Sequence, residues 1–185
     1  CRWSGAAARA CAAVSACVRR GGKPLTARNC HKSVYYGIFL RGLEPVYLCP
    51  PALPDWGTVG PVPPEAVERA LFLEPDIEAV LITSPTYEGL CSDIAAISGI
   101  CHAHGVPLIV DAAHGAHLAY AGEDPSFPPS AVLSGADLAV ESLHKTLPSL
   151  TQTAVLHKRS SLVREGALEY FLQVYQSSSP SYVLM

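Results

Sequence analysis

Short runs of consecutive apolar residues alternate along the chain with longer segments whose apolar positions recur at helical spacing. The short runs predict six strands, at residues 24–29, 44–50, 78–84, 106–113, 136–142 and 153–157. The runs at 78–84 and 106–113 are apolar almost throughout, which is typical of parallel strands covered on both faces. We therefore expect a sheet buried between layers of helices.

The segments between these strands carry helical patterns. They predict helices at residues 5–20, 31–42, 64–73, 93–105 and 161–175. Pro64 suits the first turn of the third helix, and the stretch before it, residues 50–64, is a proline-rich loop. The fold class is therefore α/β, a doubly wound, mostly parallel sheet flanked by helices. In such folds, ligands bind at the carboxyl ends of the strands.

Composition narrows the classes of function. Apolar residues make up 49% of the 185 residues and charged residues 16%, so the chain can bury a core. The net charge of −3, without a basic run, argues against partners such as nucleic acid or an anionic membrane surface. No apolar run approaches the roughly 18 residues of a membrane helix.

The seven cysteines are scattered and form no CxxC pair, which favours a reducing compartment over a disulfide framework. We therefore expect a cytoplasmic protein. The chain starts with Cys and stops at SYVLM without a polar tail, so we expect it to be a fragment of a longer protein.

Polar side chains gather at or just beyond the predicted carboxyl ends of four strands. Cys30, His31 and Lys32 follow the first strand, and Ser84 ends the third. Asp111 lies near the end of the fourth strand, and the fifth runs into the sequence SLHK at 142–145. An active site at this edge of the sheet would draw on all four.

Two of these residues predict specific chemistry. An amine such as Lys145, just past an apolar strand, can be desolvated and can form Schiff bases with carbonyl groups, including the aldehyde of pyridoxal 5′-phosphate (PLP). A lysine on a surface turn would look the same in sequence. A carboxylate such as Asp111, at the end of a buried strand, needs a cationic partner such as a protonated pyridine nitrogen, or nearby backbone amides.

A metal site is the other chemistry that this pattern allows. His114 and His117 follow Asp111 in DAAHGAH, and His102 and His104 lie close together in CHAHG. Pairs of histidines alone are weak support for a zinc site, which takes three or four ligands. We predict no metal.

Five stretches of the chain resemble one family. They read ARNCHKSVYYGIFLRGLEPVYL (27–48), ITSPTYEGLCSDI (82–94), VPLIVDAAHGAHLAY (106–120), GADLAVESLHKTLPSLTQTAVLH (135–157) and SSSPSYVLM (177–185). Together they resemble the large domain of the Orn/Lys/Arg decarboxylases, PLP-dependent enzymes of fold type I. The resemblance implies that residues 1–185 are this PLP-binding large domain, without its N-terminal arm and C-terminal small domain.

It also implies an activity, the PLP-dependent decarboxylation of arginine, lysine or ornithine to the amine and carbon dioxide. Lys145 would form the Schiff base with the cofactor, and Asp111 would pair with its pyridine nitrogen. His31 would stack on the ring, Ala113 would pack beneath the other face, and His114 would contact the phenolic oxygen. Ser142 and His144 would reach the phosphate. Ser178 would serve the phosphate of a neighbouring subunit, so the resemblance implies a homodimer or higher homo-oligomer.

One departure from the family pattern concerns the phosphate turn. The family carries a Gly-Ser/Thr-Thr turn at the start of the first helix, whereas this chain has Gly5-Ala6-Ala7, without hydroxyls. Two alternatives to the decarboxylase stay open. One is another fold-type-I enzyme, such as an aminotransferase or a lyase, and the other is a non-catalytic domain that has lost its cofactor.

Overall fold

The computed structural model describes residues 5–124, 126–149 and 152–176. Within these ranges, six strands form one sheet in the order β2-β1-β5-β6-β7-β8. Their bounds are β1 Lys23–Ala27, β2 Val46–Leu48, β5 Ile77–Thr83, β6 Leu108–Asp111, β7 Leu138–Ser142 and β8 Ala154–Lys158. Pairings are parallel from β2 through to β7, and β8 joins β7 antiparallel at the edge. The predicted mostly parallel sheet is confirmed.

In the described part of the chain, six α-helices accompany this sheet: α1 Ala6–Cys17, α2 Lys32–Arg41, α3 Pro64–Leu73, α4 Ile94–Ala103, α5 Leu143–Thr146 and α6 Ala167–Tyr175. One hydrophobic cluster contains residues of α3 and α4, and the other contains residues of α1, α2 and α6. Each face of β5 contributes its side chains to a different one of these two clusters. Val80 and Ile82 join the first cluster, while Ala79 and Leu81 join the second. This two-sided burial explains why the strand is apolar at consecutive positions.

Several details differ from the sequence prediction. The proline-rich loop contains a small antiparallel hairpin, formed by β3 (Ala52–Leu53) and β4 (Thr58–Val59). The last helix begins at Ala167 rather than near 161, because Gly166 precedes it with φ of 75°, a left-handed conformation that glycine adopts at little cost. Residues Ala116–Glu123 form a 3₁₀ helix that the pattern did not predict. Pro64 does begin α3, as predicted.

Over the described ranges, no helix combines the length and the apolar character that crossing a membrane requires.

Candidate active site

A cleft of about 1210 Å³ opens at the carboxyl edge of the parallel strands. It is lined by Gly5, Ala6, Ala7, Asn29, His31, Lys32, Ser33, Thr83, Tyr87, Asp111, Ala113, His114, Ser142, His144, Lys145 and Gln152. These residues come from the start of α1, from the ends of four neighbouring strands and from the segments that follow those strands. The fold therefore brings seven of the eight predicted site residues into one cleft.

The eighth predicted residue, Ser178, lies outside the residues that the structure describes. Its expected role towards a neighbouring subunit stays a prediction.

Asp111 ends β6 and is only 5% exposed. Its Oδ1 accepts a hydrogen bond from the backbone N–H of Ala113 at 3.2 Å. Burial raises the pKa of the Asp111 carboxyl, whereas that hydrogen bond and the positive charges of His31 and Lys145 lower it. A cation bound in the cleft would act in the same direction and stabilise the carboxylate.

Lys145 lies in the short helix α5, and its amine reaches His114. The distance from Lys145 Nζ to His114 Nε2 is 3.0 Å. The imidazole of His114 also meets the ring of Tyr87 edge-on, with 5.5 Å between the ring centroids. Lys145 is exposed to solvent, so the desolvation of this amine by burial that the sequence suggested is not found. What constrains the amine in this structure is its contact with His114.

The start of α2 fixes the position of the His31 ring. It is the N-cap residue of that helix, and its Nδ1 accepts a hydrogen bond from the backbone N–H of Ser33 at 3.2 Å. The same nitrogen lies 2.8 Å from the Ser33 hydroxyl oxygen. With Nδ1 engaged in this way, the exposed ring lines the cleft with its Nε2 edge free of the cap.

Three side chains in the cleft have a buried polar atom without a hydrogen-bond partner: Asn29 Oδ1, Thr83 Oγ1 and Ser142 Oγ. They come from the ends of three different strands. Buried polar atoms are usually paired in folded proteins, because an unmade hydrogen bond costs about 1–3 kcal/mol. Three such atoms around one cleft indicate a site built for a polar ligand.

His144 is oriented by the start of β8. Its Nδ1 lies 3.1 Å from the backbone nitrogen and 2.9 Å from the backbone oxygen of Thr153. The ring therefore has one nitrogen, Nε2, left to offer a ligand. The predicted contact with a phosphate would use this nitrogen as the donor.

The start of α1 faces the cleft through Gly5, Ala6 and Ala7. Gly5 is the N-cap of this 12-residue helix, and no side chain makes a capping hydrogen bond there. The amides at a helix N-terminus carry partial positive charge and bind phosphate groups. The backbone part of a phosphate turn is thus present, whereas the hydroxyl groups are absent from positions 6 and 7.

The histidines considered for a metal site have other surroundings. Among the residues the structure describes, no group of three or more His, Cys, Asp or Glu is placed to bind a metal ion. His102 Nε2 lies 3.0 Å from Oδ2 of the fully buried Asp137, which also accepts a hydrogen bond from the backbone of Leu108. The ring of His117 packs edge-on against Phe127.

Five residues that line the cleft were not singled out from the sequence: Asn29, Ser33, Thr83, Tyr87 and Gln152. Ser84, which was singled out, does not line it. Its Oγ accepts a hydrogen bond from the backbone of Ser92 and lines a separate pocket of about 300 Å³. Side chains alternate between the faces of a strand, so a shift of one residue exchanges Thr83 for Ser84.

A comparison with known families places the whole chain in context. The family described as Orn/Lys/Arg decarboxylase, major domain, matches residues 3–185. The chain belongs to this family. The resemblance inferred from the five motifs is therefore confirmed.

The chain is also similar to individual proteins. Protein YaaO of Bacillus subtilis, described as uncharacterized, is 44% identical over 163 residues, which cover 87% of this chain and 33% of that protein. An arginine decarboxylase of Halalkalibacterium halodurans is 36% identical, covering 89% of this chain and 33% of that protein. The lysine decarboxylase LdcA of Pseudomonas aeruginosa is 27% identical, and the match covers 85% of this chain and 23% of that protein. The chain thus spans about a third of the length of its first two relatives.

Solved structures with the same fold include two of interest. The cystathione gamma lyase CalE6 of Micromonospora echinospora has a TM-score of 0.71 at 20% identity, covering 96% of this chain and 43% of that one. The pyridoxal-5′-phosphate-dependent protein YhfS of Escherichia coli has a TM-score of 0.65 at 13% identity, and the match covers 94% of this chain and 42% of that one. At these identities the likeness shows the fold, and we draw no activity from it.

Proposed function

We propose that this decarboxylase-family chain provides the PLP site of an enzyme that removes the carboxyl group of a basic amino acid. The observation that carries the proposal is the presence of Lys145 and Asp111 in one cleft at the carboxyl edge of the sheet. An amine and a buried carboxylate in one site are the two groups that PLP chemistry requires of a protein. Family membership supports the same reaction.

The residues of the cleft fit PLP. The buried carboxylate of Asp111 accepts a backbone hydrogen bond and lines the cleft, where a protonated pyridine nitrogen would be its cationic partner. The unpaired Ser142 hydroxyl and the N-terminus of α1 suit a phosphate group. Thr83 and Asn29 add two further unpaired oxygens in the same cleft. The departures are Ala6 and Ala7, where hydroxyl groups would strengthen the phosphate contacts.

When bound, PLP supplies an aldehyde that links to amines and a ring that takes up the electron pair released as carbon dioxide leaves. The chain's own residues would direct this chemistry. Lys145 holds the amine that joins the aldehyde. Asp111, as a carboxylate, keeps the ring nitrogen protonated and thereby strengthens the electron sink. His31 and Ala113 would confine the ring from its two faces, and His114 would contact the phenolic oxygen.

Arginine is our first choice of substrate. The arginine decarboxylase of Halalkalibacterium halodurans is 36% identical to this chain, whereas the lysine decarboxylase LdcA is 27% identical. Groups that recognise the distal end of the substrate can lie in the part of the relatives that this chain does not span. The proposal further includes a homodimer in which Ser178 serves the partner's phosphate, and a cytoplasmic location.

One observation favours a second candidate, a domain of this fold that no longer holds its cofactor. The start of α1 offers the phosphate only backbone groups, because Ala6 and Ala7 replace the hydroxyl residues. The two candidates differ in a simple property. The enzyme binds PLP covalently at low concentration, and the remnant does not.

An activity assay with the full-length protein tests the proposal. With PLP added, we expect carbon dioxide and the corresponding amine from arginine, and lower turnover with lysine and ornithine. Lys145→Ala should abolish the activity, while Lys32→Ala, a change at another lysine of the same cleft, should retain activity. Release of an oxo acid without carbon dioxide would contradict a decarboxylase and indicate an aminotransferase.

A further inference from the structure

The geometry points to His114 as a positioning residue that aims the Lys145 amine into the cleft before PLP is captured. This inference rests on the proposed function and adds to it. The sequence resemblance gives His114 a contact with the bound cofactor. The structure places the His114 imidazole in contact with the Lys145 amine.

Lys145 needs such a partner because its side chain is exposed. A lysine side chain carries about 2 kcal/mol of rotamer entropy, so an exposed amine samples many positions. The hydrogen bond of 3.0 Å between Lys145 Nζ and His114 Nε2 selects one of them, beside Asp111 in the cleft. His114 is half-buried, and its ring meets Tyr87 edge-on. The acceptor is therefore better fixed than the amine that it holds.

The charges around His114 favour the neutral ring that this role requires. A lysine ammonium only donates, so Nε2 must accept and the ring proton must be on Nδ1. Burial lowers the pKa of His114 below its ordinary value of 6.5, and the charge of Lys145 lowers it further, against an opposing effect of Glu88. Asp111 interacts electrostatically with Lys145 and with His31, and Glu88 and Tyr87 act on His114. At neutral pH the imidazole is thus uncharged and able to accept.

Capture of PLP is then a condensation of the Lys145 amine with the cofactor's aldehyde, which releases one water molecule. The Lys145 ammonium first loses one proton to solvent. The neutral amine can still donate one N–H to His114 Nε2, which leaves its lone pair free to attack the aldehyde carbon. A carbon–nitrogen double bond replaces the carbonyl bond, and the carbonyl oxygen leaves as water with the two remaining protons of the amine.

The contact between His114 and Lys145 should depend on pH. Protonated His114 has no lone pair at Nε2 and repels the ammonium 3.0 Å away. Below the lowered pKa of His114 the amine is released from its position. Capture by the wild-type protein should therefore slow more steeply with falling pH than capture by a variant whose residue 114 does not ionise.

The rate of capture by the cofactor-free, full-length protein tests the inference. Protein and PLP are mixed at several pH values, reduced with borohydride at intervals, and the adduct at Lys145 is counted by peptide mass spectrometry. His114→Ala should slow capture about tenfold at neutral pH, the loss expected for one hydrogen bond to a charged group. His114→Gln keeps an acceptor at similar reach and should stay within about threefold of wild type. His117→Ala, three residues away, is the control and should not change the rate.

The ratio of the wild-type rate to the His114→Gln rate cancels the pH dependence of free PLP, which both reactions share. We expect this ratio to be constant where His114 is neutral and to fall as the pH drops through the pKa of His114, which NMR titration of the wild-type protein measures. Capture by His114→Ala at the wild-type rate, or a ratio that stays flat through the measured pKa of His114, would overturn the inference.

An NMR titration of the His114 imidazole tests the pair without any cofactor. In Lys145→Gln the pKa of His114 should rise, because a neighbouring positive charge is removed, and in Lys32→Gln it should stay unchanged. An unchanged His114 pKa in Lys145→Gln would overturn the pairing. A wild-type protein that captures no PLP at Lys145 would instead refute the proposed function, while this titration still decides whether the pair exists.

Discussion

His157 Nε2 lies 3.0 Å from Oε2 of Glu141, and this contact joins the edge strand β8 to β7. Glu141 is only 4% exposed, so its carboxylate depends on the histidine for a partner. Leu143 to Lys145 follow directly after β7, and the backbone of Thr153, just before β8, holds His144. The antiparallel pair that carries this contact therefore also supports the segment with the predicted Schiff-base lysine.

Stability should depend on pH through this contact. The hydrogen bond to Glu141 raises the pKa of His157 above its ordinary 6.5, against an opposing effect of burial, and the carboxylate charge raises it further. The folded state therefore holds the proton more tightly than the unfolded state. The resulting stabilisation is complete below pH 6.5 and is lost as the pH rises through the raised pKa.

Urea unfolding at a series of pH values from 6 to 9 measures this effect. The free energy of unfolding of the wild type should fall, relative to that of His157→Gln, as the pH rises through this range. His104→Gln, a change at an exposed histidine at the end of α4, is the control. Parallel curves for wild type and His157→Gln would contradict the assignment.

Hydroxyl groups at the start of α1 should tighten PLP binding. Ala6 and Ala7 line the cleft at the N-terminus of the helix, where a phosphate would meet the backbone amides. Each added hydrogen bond to a charged group contributes about 1.5–3 kcal/mol, so Ala6→Ser with Ala7→Thr should improve affinity about tenfold or more. A spectroscopic titration with PLP measures the change.

The control for this change is Ala8→Ser, one position further along the helix. Ala8 does not line the cleft but an adjacent apolar groove, so its hydroxyl should leave the affinity unchanged. Equal affinity of the double variant and the wild type would refute the phosphate-turn argument.

Much of the fold could be predicted because it depends on local pattern. The strands β5 and β6 are apolar on both faces since helices cover both, and Pro64 marks the start of α3. The antiparallel direction of β8 could not be predicted. A short apolar run such as residues 153–157 reads the same in either direction, and only its pairing with β7 sets the orientation.

The site likewise contains some residues that the sequence predicts and others that only the structure reveals. Lys145, Asp111 and His31 belong to motifs, and the structure brings them into one cleft. Asn29 and Thr83 carry no such signal, because their importance lies in a buried atom without a partner, which only the packed structure reveals. The contact between His114 and Lys145 joins positions 31 residues apart, at the ends of two neighbouring strands, so spacing alone could not show it.

Asp111→Asn should lower turnover without removing the cofactor site. The amide has nearly the same shape but no charge to hold a proton on the pyridine nitrogen. Loss of such a preorganised charge typically costs about 10²-fold or more in rate. Steady-state kinetics of the full-length enzyme with arginine measure the loss.

Asp93→Asn is the matched control for that substitution. Asp93 caps α4 by accepting a hydrogen bond from the backbone of Ala96, and asparagine caps helices equally well. Near-normal turnover in Asp111→Asn would rule out the role assigned to this carboxylate.

Peptide mapping after borohydride reduction in the presence of PLP tests the central claim most directly, because it identifies the amine that holds the cofactor. In the full-length protein the covalently attached cofactor should be on the peptide that contains Lys145. It should be lost in Lys145→Ala and retained in Lys32→Ala, although both lysines line the same cleft. Cofactor trapped at Lys23, Lys32 or Lys158 instead, or trapped equally well in Lys145→Ala, would contradict the account.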